Sequence, residues 1–576
     1  MRFKYLFVNS VISLMLLSSC ENFLDKDPLD RFSENAVWSN KDLVEANLAD
    51  LYAMTPFFDG EDGNNAHAVT FMGGEALKIN ASGTWISGTL NEKGGVAEHW
   101  AYSAIYLINT FIERVGESPL EPKLIEIRKA EARFLRAYRY FEMVKRYGGI
   151  PLILKTQSID DDYEELYVKR NSEKEVYDFI DSECEEIAKI LPDVSDEYGR
   201  VTKYTALALK SRAMLYAASV AQFGTLQLDG LLGFSKDEAA KYWQKSYDAS
   251  KQIIDSGLFS LFNKYEDKAQ NFQYIFLEER NSETIFSKVY NGRGKVGHSY
   301  DHRFYPEFLA KEYGGECCPY WETIEDFGYV DGRDGRIDKD YLLNNLIDFD
   351  ELFSGKDPRF YASIIYPGAK FKEKTFYSHK GTIVDGETIL TNKEIGYYNG
   401  EMWYAVTPSL KSMYTGFTIR KYVDELADSQ YITGESDTDF MIYRYAEILL
   451  NMAEAAFELG KEDEALNYIN MIRDRAGVKM RDKITREMIH NERNVELAFE
   501  GHRYWDVRRW RVAVDELSTQ RNGVELFFDW DSKKYKVSLK KADPVDRGFT
   551  EKMYYLPITV TRISNNPNLA PENPGY

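Results

Sequence analysis

The sequence of 576 residues has only four cysteines and seven histidines. Cys20, Cys184, Cys317 and Cys318 are too few and too unevenly placed for a disulfide framework, and no CxxC pair offers a zinc site. Cys317 and Cys318 are adjacent, so they either close a vicinal disulfide or stay as two free or buried thiols. No P-loop and no nucleophile motif points to catalysis. Positive charge is also short. Against 93 Asp and Glu stand 72 Lys and Arg, a net charge of −21, which repels nucleic acid and anionic lipid and removes both from the partner list. After residue 17 no long apolar run recurs, so the remainder lacks a membrane-spanning helix.

The chain opens on Arg2 and Lys4, continues with an apolar run from Tyr5 to Leu17, and then places small residues before Cys20. That run is well short of the ~20 apolar residues of a spanning helix and has the three-part form of a secretory signal peptide. Leu17-Ser18-Ser19-Cys20 resembles the bacterial lipobox, where cleavage precedes the cysteine and its thiol takes a diacylglyceryl group. Residues 1–19 are therefore expected to be a lipoprotein signal peptide, with Cys20 the lipidated anchor. An ordinary signal peptide with an incidental cysteine is the alternative. Cleavage leaves 70 basic against 93 acidic residues, a net of −23. Glu21, Asp25 and Asp27 resemble the acidic export signal of some surface lipoproteins. The expected location is the outer membrane, lipid-anchored and facing the cell exterior.

Beyond the anchor the pattern is helical, in paired blocks. Ile127, Ala130, Phe134, Ala137, Phe141 and Val144 recur at alternating spacings of three and four, one apolar helix face that Gly148, Gly149 and Pro151 end. Its partner starts at Ser172, with Glu175 in capping-box register, and stops before Pro192. "YTALALKSRAMLYAASVAQFG" with "KYWQKSYDASKQIIDSG" makes a second pair, and "YRYAEILLNMAEAAFELG" with "KEDEALNYINMIRDRAG" a third. An earlier pair around Asp42–Met54 and Trp100–Val115 makes a fourth. Helix hairpins of this length, with small residues such as Ala465 at the approach, resemble tetratricopeptide repeats. The expected fold is all-α, mostly helical: a tetratricopeptide-like helix-pair scaffold with long irregular loops forming the ligand face. One domain, residues 20–576, would divide into N-terminal repeats (20–265), a loop-rich ligand region (266–435), and a C-terminal helix pair with tail (436–576).

Several constellations invite a chemical reading. In "ERNVELAFEGHRYWDVRRW" Glu500, His502 and Asp506 lie close, but the HExxH spacing is missing. Arg493–Glu496, Arg503–Asp506 and Asp506–Arg509 stand three apart, as in a salt-bridged structural helix. Asp331, Asp334, Asp338 and Asp340 depart from EF-hand spacing, so the acidic turn reads as solvated first and as a structural calcium site second. No other cofactor is expected. His298 and His302, one turn apart beside Asp301, read as hydrogen-bonded surface histidines first and as metal ligands second.

Aromatics are plentiful, with 41 Tyr, 33 Phe and 9 Trp, and in a helical protein that raises the question of what stacks on them. Trp38, Trp100, Trp243, Trp505 and Trp510 fall in helical blocks and read as core. Trp85, Trp321 and Trp403 lie in the non-periodic stretches beside Gly, Tyr and Pro. Sugars present C–H faces to aromatic rings and hydroxyls to carboxylates and amides. "GGEALKINASGTW" supplies Glu75, Lys78, Asn80 and Trp85, and "CCPYWETIEDFGY" supplies Tyr320, Trp321 and Glu322.

"EARFLRAYRYFEMVKRYGGIPLI", "RYAEILLNMAEA", "ALNYINMIRDRAG", "ERNVELAFEGHRYWDVRRW" and "YYLPITVTRISNNPNLAPENPGY" resemble, in this order, blocks of the SusD/RagB family of surface lipoproteins. The resemblance implies a four-repeat scaffold docked on a SusC-like, TonB-dependent outer-membrane transporter. There a non-catalytic lipoprotein acts as a lid that captures oligosaccharide, or in some members peptide. It also implies that the ligand site draws on loop residues from the two aromatic segments. The candidates there are Glu75, Asn80, Trp85, Tyr320, Trp321 and Glu322, joined by Trp403 from another long loop, with ordinary loop packing the alternative for each. A surface glycoside hydrolase, with two carboxylates across a cleft, and a structural scaffold of the transporter complex are the rivals.

Overall fold

The structure is a computed structural model that describes residues 34–57, 68–79, 81–292, 296–306, 314–389, 396–398, 401–403, 414–426 and 434–576. Cys20 and Asn80 lie outside the described residues.

Eight helices form the scaffold: α1 (Lys41–Ala53), α2 (Tyr102–Arg114), α3 (Pro122–Tyr147), α4 (Glu173–Ile187), α5 (Lys203–Phe223), α6 (Ala239–Asp255), α7 (Tyr445–Glu458) and α8 (Glu462–Ala476). The local signals operate as the sequence suggests. Ser172 and Glu175 close the capping box of α4, Pro122 opens α3, and Gly148 (φ +69°) ends it in a conformation that suits glycine. Each helix packs on the next, α3 on α4, α4 on α5, α5 on α6, α6 on α7, α7 on α8, in the manner of stacked repeats, and α1 and α2 pack on α3. The mostly-helical, repeat-built fold is the one expected from the sequence.

Two further helices, α9 (Arg486–Glu496) and α10 (Arg503–Arg509), lie across the first helices of the last three pairs. Asn451 and Glu454 of α7 meet Arg493 and Arg509, Ser219 of α5 meets Arg509, and Lys145 and Arg146 of α3 sit over the Trp505 ring. The contacts are charged and buried. Glu496 accepts from Arg359 (2.9 Å), Arg444 (2.7 Å) and Arg475; Glu500 accepts from Arg444 (2.7 Å) and Lys421 (2.7 Å). This confirms the structural reading of the block but changes its pairs. Asp506–Arg509 forms (2.8 Å), whereas Arg493 turns to Asp506 (2.8 Å) because Glu496 is already taken by three other arginines, and Arg503, with Asp506 held by Arg493 and Arg509, pairs with Glu516 (3.0 Å).

The stretch expected as irregular loop carries short helices and strands. A five-stranded sheet runs in the order β4 (Leu346–Ile347), β9 (Lys534–Lys541), β8 (Asn522–Asp529), β5 (Gly381–Val384), β6 (Glu387–Ile389), with only the β8–β5 pair parallel. β2 (Thr284–Lys288) pairs with β7 (Phe440–Arg444). Both sheets join strands from either side of residue 435. The overlooked signal is a period of two: Val524, Leu526 and Phe528 face inward with Tyr535 and Val537 opposite.

The C-terminal tail returns to the first repeats. Arg170 donates to Gly149 O (2.7 Å), Pro571 O (2.7 Å) and the Asn573 side chain (2.7 Å), while Asn573 Nδ2 donates to Tyr147 O (3.0 Å) and Leu556 O (2.7 Å).

Candidate functional site

The two aromatic segments do come together. β1 (Ala76–Lys78) pairs antiparallel with β3 (Cys317–Pro319), Ala76 opposite Pro319 and Lys78 opposite Cys317. Glu75 O then accepts from Tyr320 N (3.2 Å) and Thr323 Oγ1 (2.6 Å), which ties the two stretches at their ends.

This pairing overturns the platform expected at residues 320–322. Tyr320 is fully buried and its hydroxyl donates to Asp543 (2.5 Å) beside Arg547 (3.2 Å). Trp321 is 1% exposed, with its ring against Phe417 at 6.1 Å between centroids. Glu322 accepts from the Asn522 backbone (2.9 Å) and side chain (2.6 Å), a clamp between its helix and β8. The physical reason is that Cys317–Trp321 is a short continuous apolar run, the pattern of a buried strand, with the following helix turned inward. Cys317 and Cys318 are both buried, and Cys318 Sγ donates to Gly315 O (3.3 Å).

Glu75 is buried too, at 2% exposure. One carboxylate oxygen accepts from Phe499 N (2.8 Å) and the other has no partner. Burial pushes its pKa up to about 7, against the Phe499 hydrogen bond and the pull of Arg503 and Lys421.

Trp85 behaves differently. It ends a 3₁₀ turn (Gly83–Trp85) that Ser82 caps, and its half-buried ring rests on a small apolar cluster of Phe71, Leu77, Ile79, Ile86, Cys318 and Tyr320. The turn lies flat on residues 545–548. A Cβ on Gly83 would come within 2.9 Å of Val545, and Gly88 (φ +70°) abuts Gly548. The chain neighbours of Trp85 carry hydroxyls, Ser82 paired with Thr84 (2.7 Å) and Ser87 with Thr89 (2.7 Å), of which Ser82, Thr84 and Thr89 are exposed. Lys541 and Asp546 form an exposed ion pair (2.5 Å) on the flanking segment. A half-buried aromatic ring with hydroxyl-bearing chain neighbours is suited to stacking a pyranose and bonding its hydroxyls. Sequence reasoning missed the 541–548 flank, which lies far from Trp85 in the chain. Trp403 ends a short strand (Glu401–Trp403) opposite Gly396, and its side chain lies outside the described residues.

Where α3, α5, β7 and the Gly501 corner meet there is a polar cavity of about 60 Å³, lined by Glu142, Lys145, Arg212, Tyr216, Glu500 and His502. Lys145 (2.6 Å) and Arg146 (2.5 Å) hold Glu142, and burial with the nearby Arg212 and Arg493 keeps His502 neutral. The volume suits a few waters, whereas ligand pockets run to ~300 Å³ and more.

Among the described residues no group of three or more His, Cys, Asp or Glu is placed to hold a metal. Asp331, Asp334 and Asp338 are engaged on the backbone N–H groups of Arg333 (3.0 Å), Arg336 (3.1 Å) and Asp340 (2.9 Å) in their own turns. His298 bonds to Thr438 O (2.8 Å) and accepts from Tyr300 N (3.1 Å). Nor is any described helix long and apolar enough to cross a membrane.

Residues 282–576 match the sequence profile described as the SusD family, just over half of the chain. The chain belongs to the SusD family. Residues 22–215 match a second profile, described as starch-binding and associating with the outer membrane. Among curated relatives of this SusD-family chain, a SusD-like protein P38 from Formosa agariphila is 25% identical over 540 residues, covering 88% of this chain and 91% of its own. A SusD-like protein from Bacteroides ovatus is 24% identical and covers 89% and 83%. The crystal structure of a SusD-like protein from Bacteroides fragilis superposes with a TM-score of 0.74 at 25% identity, covering 96% of this chain and all of that one. A SusD-like carbohydrate-binding protein from the same species superposes at 0.70 with 22% identity, covering 93% of this chain and all of that one, and shares the fold.

Proposed function

We propose that this SusD-family chain is a non-catalytic glycan-binding lipoprotein, anchored in the outer membrane through Cys20, exposed to the cell exterior. It captures oligosaccharide and passes it to a SusC-like, TonB-dependent transporter for which it acts as the lid. The observation that carries the glycan reading is Trp85, a half-exposed ring in a hydroxyl-lined turn on a scaffold of this family. Its surroundings favour a sugar over a peptide, the alternative ligand, because its chain neighbours Ser82, Thr84 and Thr89 are exposed hydroxyl residues.

The carboxylates of the 492–506 block support the non-catalytic reading. Arginines beside Glu492, Glu496 and Glu500 hold their pKa values down despite burial, so these groups neither protonate a leaving group nor reach a substrate. Carboxyls raised by burial, Glu75 and Asp301 to about 7 and Asp439 to about 6, are tuned like general acids and favour a hydrolase, but at 2%, 2% and 6% exposure they have no access to a polysaccharide. Incubation with polysaccharides should release no reducing ends.

The test of the site is calorimetry with the cognate glycan. Trp85→Ala should weaken binding by ~2 kcal/mol, about 30-fold in Kd, with little loss of stability. Wild-type affinity in that variant would place the site elsewhere. Detergent extraction should recover the protein with a TonB-dependent transporter; recovery as a free monomer alone would refute the lid.

A further inference from the structure

The turn that follows the Trp321–Asp326 helix contains the acidic stretch 330–340, which the glycan reading leaves unused. At its centre lies the side chain of Lys356, from a residue only 1% exposed. Nζ donates to Phe327 O (2.7 Å), Ile324 O (2.9 Å) and Gly335 O (3.3 Å). The rings of Tyr329, Phe360 and Phe353 stand 5.0, 5.6 and 6.0 Å from the same nitrogen.

Two independent features show that the backbone is arranged around this charge. First, glycine brings the oxygens together: a Cβ on Gly335 would lie 2.1 Å from the carbonyl oxygens of both Glu325 and Phe327, and one on Gly328 would lie 2.8 Å from Arg333 O. Converging carbonyl oxygens repel one another unless a cation sits among them, and Ile324 and Phe327 are carbonyls at a helix C-terminus, which also favours positive charge. Second, the flanking carboxylates surround the ammonium without bonding it. Asp357 holds Arg359 (2.7 Å), Glu325 accepts from Ile337 N (3.1 Å), Asp326 from Asn494 (2.8 Å) and Asp334 from Arg336 N (3.1 Å). Burial pushes the Lys356 pKa down to about 7, and these four carboxylates push the other way.

We propose that the backbone of residues 324–335 is a receptor for a primary alkylammonium ion, filled in the native chain by the protein's own Lys356. The match is chemical. Three acceptors meet the three N–H bonds of an R–NH₃⁺ group, and aromatic faces complete the enclosure. Three oxygens at 2.7–3.3 Å are too few and too distant for calcium, which takes six to eight at about 2.3–2.6 Å. The acidic turn thus carries its cation covalently.

The experiment is chemical rescue. Lys356→Ala empties the cage, and its Tm is compared with that of the wild type at about pH 6, below the Lys356 value. Methylammonium, sodium and calcium chlorides are each added at equal ionic strength. The variant should melt below the wild type. Methylammonium should recover at least half of that loss and leave the wild type unmoved, while sodium and calcium recover none. No response to methylammonium, or rescue by calcium in its place, overturns the proposal. If the variant is recovered only unfolded, it is refolded with and without methylammonium: folding only in its presence supports the receptor, and failure in both overturns it.

Discussion

Glu75→Gln tests whether a buried carboxyl sets the pH response of the fold. Glu75 titrates near 7 instead of 4.5, and at ~1.4 kcal/mol for each pH unit that difference amounts to ~3 kcal/mol. Its 2% exposure leaves little solvent to screen the effect. The sign follows from proton binding. Between pH 4.5 and about 7 the native state holds a proton that the unfolded chain has released. The stabilising contribution is therefore complete below 4.5 and is lost as pH rises through about 7. Glutamine keeps the shape and an oxygen for Phe499 N but never ionises. The variant should match the wild type near pH 5 and gain on it steadily, melting above it by pH 8. Asp301 and Asp439, raised by burial to about 7 and about 6, titrate in the same window in both proteins, so the difference between the two melting curves isolates Glu75. Thermal melts across this range decide the matter: a variant whose Tm runs parallel to the wild type at every pH refutes the reasoning.

Trp321→Ala should cost ~3–5 kcal/mol of stability, as truncation of a buried large aromatic does, and should show as a lower denaturation midpoint with no change in glycan affinity specific to the site. Arg444→Met removes one of three cations on Glu496 and one of two on Glu500, and the buried negative charge left under-compensated should cost ~3 kcal/mol by denaturant melts. Cys20→Ala should abolish lipid labelling and release the chain from the membrane fraction. Unchanged labelling there would refute the anchor.

The helix pairs were legible because three-and-four spacing, a capping box and glycine stops all act within one element. Ser172, Glu175 and Gly148 do in the structure what their positions announce. The 486–510 block was legible as scaffold for the same local reason, yet its ion pairs were not, since Glu496 is claimed by Arg359 and Arg444 from distant segments. Trp321 was misread because an apolar run in a polar stretch looks the same exposed or buried. What decides it is the strand pairing with residues 76–78, some 240 positions away. Trp85 and Trp321 were alike as letters and differ only through the partners that the fold brings to each.

The return of residues 571–573 to Arg170 and Tyr147 makes one structure of two segments some 400 positions apart. Tyr147 O, at the end of α3, is met by Asn573 Nδ2 and not by a neighbour in its own repeat. A substitution at Asn573 is therefore a perturbation of α3 as well.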